Sequence, residues 1–145
     1  MSQENVELVR AIVAVYKQPE GIALLASGDL DLSLVDPDVE WDASQISELV
    51  PDLAEIYHGH EGVRTYWRRW MEAWTDLEFE VQDLRGAGDD VVVLIGDQHQ
   101  AGRHTGIVTE LPPYGMVFTL RAGKLVRWRT FPSQEEALKA VGLAE

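Results

Sequence analysis

Residues 61–95, EGVRTYWRRWMEAWTDLEFEVQDLRGAGDDVVVLI, change period half-way along, and that change decides the fold. From Glu61 to Trp74 the apolar side chains recur at helical spacing. Val63, Trp67, Trp70 and Trp74 share a face with Tyr66 and Met71. Arg64, Arg68 and Glu72 lie on another face, with Arg68 and Glu72 spaced to pair. Beyond Trp74 the period falls to two. Leu77, Phe79, Val81 and Leu84 alternate as a strand, and Gly86-Ala87-Gly88-Asp89-Asp90 reads as a turn. The run Val91-Val92-Val93-Leu94-Ile95 is apolar on both faces, which predicts a strand in the middle of a sheet.

Helical signals lie upstream. Val6, Val9, Val13 and Tyr16 form a stripe behind Ser2 as N-cap, and Pro19 ends that helix while opening the next over 20–27. Leu30, Leu32, Leu34 and Val35 fit a short third segment closed by Asp36-Pro37. Val39-Glu40-Trp41-Asp42 then reads as a strand. Residues 43–55 are a polar loop around Pro51, suited to a lid, with a short strand at Ile56-Tyr57. Downstream, Gly102 and Gly106 permit bends. Met116–Leu120 and Leu125–Phe131 flank a hairpin turn at Arg121-Ala122-Gly123-Lys124. Ser133-Gln134-Glu135-Glu136 is a capping box opening a last helix, stopped at Gly142. Helices followed by a long meander with one inserted helix predict a single α+β domain over 1–145.

Composition narrows the function classes. The 145 residues carry 25 acids against 12 bases, a net charge of -13, so a phosphate backbone would be repelled and no nucleic acid is expected. With no cysteine there is no disulfide, thiol catalysis or thiolate metal site. Met1-Ser2-Gln3-Glu4 does not resemble a signal segment, and no apolar run approaches the ~18 residues of a membrane span. The expectation is a cytoplasmic chain with no membrane partner.

Several strings in order, Gly28-Asp29-Leu30, Asp36-Pro37-Asp38-Val39-Glu40-Trp41, Gly59-His60-Glu61-Gly62-Val63-Arg64 and Gly123-Lys124-Leu125-Val126-Arg127-Trp128, resemble the SnoaL-like branch of the nuclear-transport-factor-2-like superfamily. The resemblance spans nearly the whole chain. It implies a cone in which a strongly curved, mostly antiparallel sheet wraps N-terminal helices and one inserted helix, with a mostly apolar pocket at the wide end. It also implies a homodimer through the sheet's outer face. Relatives include polyketide cyclases, ketosteroid isomerases and limonene epoxide hydrolases as well as non-catalytic ligand-binding domains, so the fold does not settle the chemistry. Of the isomerase set, Tyr16 falls in the right part of the first helix. Trp41 stands where the base would be, with Asp42 one residue later, and Gly115 where a late-strand Asp would be. Of the epoxide hydrolase set, Trp128-Arg129-Thr130-Phe131 carries Thr130 in place of a carboxylate.

Catalytic candidates therefore come from the residues themselves. An imidazole such as that of His99 suits proton transfer to an enolisable carbonyl, and Asp97, two residues earlier on one strand face, could orient it. Tyr16 would serve as a hydroxyl donor to an oxyanion. Trp41 and Trp67 are expected as pocket wall, completed by Met116, Trp128 and Thr130, while Trp70 and Trp74 are expected in the core. Arg127 and Arg129 alternate with Trp128 and would point outward. His58, His60, His99 and His104 lack a converging third ligand, so neither metal nor cofactor is expected. Two functions follow. One is a cofactor-free isomerase, cyclase or hydrolase acting on a small hydrophobic carbonyl compound. The other is a non-catalytic module that binds a small hydrophobic ligand or dimerises. A protein-interaction domain, needing an exposed apolar patch, is a third.

Overall fold

The computed structural model describes residues 2–27, 32–46 and 53–143, apart from the side chains of Ser2, Tyr16 and Pro19. Helices α1 (Ser2–Lys17) and α2 (Pro19–Ser27) lead into strand β1 (Val35–Asp42), a 3-10 turn at Ser44–Ile46 and strand β2 (Ile56–His58). Helix α3 (Gly59–Ala73) follows and passes without a loop into β3 (Trp74–Ala87). The remaining elements are β4 (Asp90–Gly102), β5 (Val108–Leu111), β6 (Tyr114–Arg121), β7 (Lys124–Phe131) and α4 (Gln134–Ala140). The strands form one strongly curled sheet in the order β2-β1-β7-β6-β4-β3, with β5 joined to β4. Only the β1–β7 pair is parallel among the described residues.

Both faces of the middle strands are covered, as the apolar run 91–95 requires. Val91, Val93 and Ile95 point to the concave side, where they meet Phe118 and the stripes of α1 and α3, including Val9 and Val63. Val92, Leu94 and Val117 point to the convex side and pack on Ala137 of α4. Full burial of such side chains contributes about 1.5–3 kcal/mol each. Gly115 permits the convex contact, since a Cβ there would lie 2.5 Å from the Cβ of Ala137. Ser133 caps α4 by accepting from the Glu136 N–H at 3.1 Å, as the capping box predicts.

Two local readings change. Leu34 lies in a turn and Val35 already begins β1, which runs through Pro37. Proline is tolerated there because β2 pairs only with Glu40, Trp41 and Asp42, leaving no ladder partner for a Pro37 N–H on that side. Arg68 pairs back to Glu61 at 2.7 Å instead of forward to Glu72. The lid reading over 43–55 lies partly outside the described residues. Its described end, Glu55, is held to α3 by Arg69 at 2.5 Å, and Arg69 also donates to the Tyr57 hydroxyl at 3.2 Å.

The curl comes from breaks in the ladders. Between β3 and β4, Val81 pairs with Ile95 and Phe79 with Gln98, so three steps on β4 face two on β3. One extra residue sits in the Gly96-Asp97 step, a bulge that bends the strand and increases its twist. At the same place β4 changes neighbour on its other edge, from β6 (last pair Ile95 with Tyr114) to β5 (first pair Gln98 with Leu111). Pro112-Pro113, which have no N–H to donate, make the passage between those two strands.

Candidate functional site

The bulge reverses which residues of β4 face inward. Before it the odd positions Val91, Val93 and Ile95 point to the concave side; after it the even positions Gln98 and Gln100 do. These two glutamines are buried, Gln100 being only 1% exposed. They line a cavity of about 60 Å³ together with six aromatic side chains: Tyr66, Trp67 and Trp70 of α3, Phe79 of β3, Tyr114 of β6 and Trp128 of β7. Met116 and the buried hydroxyl residue Thr130 complete its sheet wall. No Asp, Glu, His, Lys or Arg belongs to the described lining.

The polar groups in this wall form a directed chain. The Tyr114 hydroxyl donates to Gln98 Oε1 at 2.5 Å, and Gln98 Nε2 donates to Gln100 Oε1 at 3.1 Å. Tyr114 can cross to Gln98 because β6 ends its pairing with β4 at Ile95, just before the bulge. Every link uses an acceptor oxygen, so the free end of the chain is the Gln100 NH2, which has no acceptor among the described residues. Trp128, which also lines the cavity, has its indole N–H buried with no acceptor among the described residues. Burial pushes the Tyr66 and Tyr114 hydroxyls well above the usual tyrosine range, so both keep their protons. The cavity therefore presents uncharged hydrogen-bond donors on an aromatic wall.

Comparison with known proteins agrees with this architecture. A family model described as the SnoaL-like domain matches residues 20–128. The chain belongs to the SnoaL-like domain family. Among solved structures, a protein from Jannaschia sp. CCS1 assigned to the SnoaL-like polyketide cyclases is 18% identical, covering 99% of this chain and 94% of that one, with a TM-score of 0.68. TerC, co-crystallised with polyporic acid, is 22% identical over 95% of this chain and 97% of its own, with a TM-score of 0.67. A ketosteroid-isomerase-like protein from Catenulispora acidiphila DSM 44928, solved with trimethylamine, is 16% identical over 94% and 93%, with a TM-score of 0.66. At these identities the likeness shows the fold. No curated protein matches the chain significantly.

Within this SnoaL-like frame the residues singled out from sequence divide sharply. Trp67, Met116, Trp128 and Thr130 line the cavity. Trp41 does not reach it; it stacks on Trp128 from behind, with ring centroids 4.3 Å apart and planes at 17°. Asp97 is exposed and His99 half-buried, and neither lines the cavity, which corrects their assignment as an inward-facing catalytic pair. The cause is the bulge. Continuing the odd-numbered face of Val91, Val93 and Ile95 puts both residues inside, and one extra residue at Gly96-Asp97 turns them out. His99 instead stands opposite Glu78 on β3 and Glu110 on β5. Tyr16 lies on α1, but its side chain is outside the described residues.

Asp42 is buried on β1 and accepts from both the N–H (2.9 Å) and the hydroxyl (2.6 Å) of Ser44, which caps the 3-10 turn. Among the described residues no group of three His, Asp or Glu is placed to hold a metal ion, and His60 donates to the Val35 carbonyl at 2.7 Å. Sequence reasoning missed Gln98, Gln100, Tyr66 and Tyr114. Gly96 in the middle of a strand was the available signal, because such a glycine often marks a bulge.

Proposed function

We propose that this SnoaL-like domain binds a compact, uncharged, largely apolar molecule through a carbonyl-type acceptor. The observation that carries the proposal is the Tyr114–Gln98–Gln100 chain, which ends in a donor inside a cavity lined by uncharged groups. A ligand carbonyl accepts from the Gln100 NH2, and the aromatic wall covers the rest of the molecule. A ligand without an acceptor leaves buried donors unpaired, at about 1–3 kcal/mol each, so the site discriminates by that atom. A charged ligand loses its hydration with no countercharge in the described lining.

Size supports the same reading. At about 60 Å³ the cavity is far smaller than the ~300–1,000 Å³ of drug-sized sites, so the ligand is a small monocyclic or open-chain compound and not a fused multi-ring one. The absence of a carboxylate or imidazole from the described lining favours binding and carbonyl polarisation over side-chain proton abstraction.

The cyclase and isomerase reading draws on the same donors. Protonated Tyr66 suits a developing enolate oxygen, which is the donor half of that chemistry. Calorimetry with cyclopentanone, cyclopentane and cyclopentanecarboxylate tests the binding claim. The ketone binds best, and Gln100→Leu removes its advantage over the hydrocarbon. Tighter binding of the carboxylate, or an unchanged ketone preference in Gln100→Leu, contradicts it. Deuterium exchange at the ketone α-carbons, faster than in buffer, would instead support the catalytic reading.

A further inference from the structure

A second cavity, of about 220 Å³, lies behind the aromatic wall, on the other side of Trp67. Five elements or their flanks enclose it: α1 (Ala11, Ile12, Val15), Leu25 of α2, the entry to β1, Val63 of α3, and Leu125 of β7. All its described lining residues are apolar, and Trp41 and Trp67 form the partition towards the first cavity. Trp67 lines both spaces, whereas Trp41 lines only this one.

Two observations make this more than a packing defect. The first is size. A 150 Å³ cavity with aliphatic and aromatic walls stays dry and takes benzene, and this one is larger. Water needs two or more polar partners, and the described lining side chains supply none but indole. The second is the Trp41 indole N–H, which is buried with no acceptor among the described residues. Trp41 is 3% exposed and held by its stack on Trp128, so turning that N–H to solvent would break the stack. A buried donor of this kind calls for an acceptor.

We infer that this inner cavity is a second ligand site, taking one uncharged aromatic or alicyclic molecule of substituted-benzene size with a single weak acceptor such as an ether or ester oxygen. The apolar body fills the space between α1, α3 and β7, and the oxygen accepts from Trp41 Nε1. Ala11, exposed on α1, and Leu34, 45% exposed ahead of β1, are the exposed residues of its described lining and mark its mouth. The site is independent of the function proposed above, which concerns Gln98 and Gln100.

Titration of the full-length protein with anisole and with toluene, followed by 15N–1H spectra of the indole and glutamine side chains, tests the inference. Anisole shifts the Trp41 indole resonance saturably, and toluene binds more weakly. Ala11→Leu, which narrows the mouth without touching the buried core, and Val63→Phe, which fills the cavity, each weaken both ligands roughly tenfold or more. Trp41→Phe retains toluene and loses the preference for anisole. Gln100→Leu leaves both affinities unchanged. Failure of both compounds to bind, binding that moves the Gln98 and Gln100 signals in place of Trp41, or full affinity in Ala11→Leu would each overturn the inference. Should Val63→Phe not fold, Ala11→Leu decides.

Discussion

Ile95 and Gln98 point to the same concave side of the sheet although they lie three residues apart on one strand, because β4 holds one residue more than β3 between them. This relationship sets which side chains the cavity contains. It turns two amides inward where unbroken alternation would have turned in a carboxylate and an imidazole.

Asp97→Asn and His99→Leu should therefore leave ketone binding within about twofold of the parent, since neither side chain lines the cavity. Gln100→Leu should abolish the preference for ketone over hydrocarbon. Isothermal titration of the three variants side by side checks the division.

Tyr114→Phe removes the donor to Gln98 Oε1 and strands that oxygen in a buried wall. The expected loss of stability is about 1–3 kcal/mol, read as a lower urea midpoint at unchanged slope. Tyr114→Phe with Gln98→Leu should cost less than the sum of the two single changes, because the pair is coupled.

Alkaline pH should unfold the protein through its buried phenols. Tyr66 and Tyr114 have folded-state pKa values raised by burial, so above about pH 10 the unfolded chain releases protons that the folded chain retains. Stability contributed by these groups is complete below pH 10 and falls as pH rises further. Stopped-flow absorbance at 295 nm during a jump to pH 12 should show these tyrosines ionising only at the rate of unfolding, and Tyr66→Phe should reduce that slow amplitude.

Gly115→Val should push α4 from the convex face, since even a Cβ would stand 2.5 Å from that of Ala137. Overpacking of this kind costs about 1–3 kcal/mol. Ser133→Ala removes the cap of the same helix, at about 1 kcal/mol. Thermal melts of both variants check the order.

Features set by a single periodicity were legible without coordinates. The α3 stripe as far as Trp70, the two-sided apolar run at Val91–Ile95, the turn before Lys124 and the Ser133 cap are all local patterns and form as read, whereas Trp74, read as the end of the stripe, opens β3. Trp67, Met116, Trp128 and Thr130 reached the cavity for the same reason, as inward positions on regular segments. Features set by a ladder defect were not legible. Nothing in Gly96-Asp97 alone says which strand carries the extra residue; that depends on the pairing with Val81 and Phe79, which follow α3 directly. Leu34 and Val35 misled in a similar way, because a short apolar cluster fits a helical turn or a strand entry equally well, and pairing of Val35 with Leu125 of β7 decides between them.

Side-chain amide spectra of the 15N-labelled protein titrated with cyclopentanone test the central claim most directly. The account predicts saturable shifts of the Gln98 and Gln100 NH2 signals and of the Trp128 indole, with the His99 ring and the Asp97 backbone amide still. Shifts centred on His99 and Asp97, with the two glutamines unmoved, would contradict it.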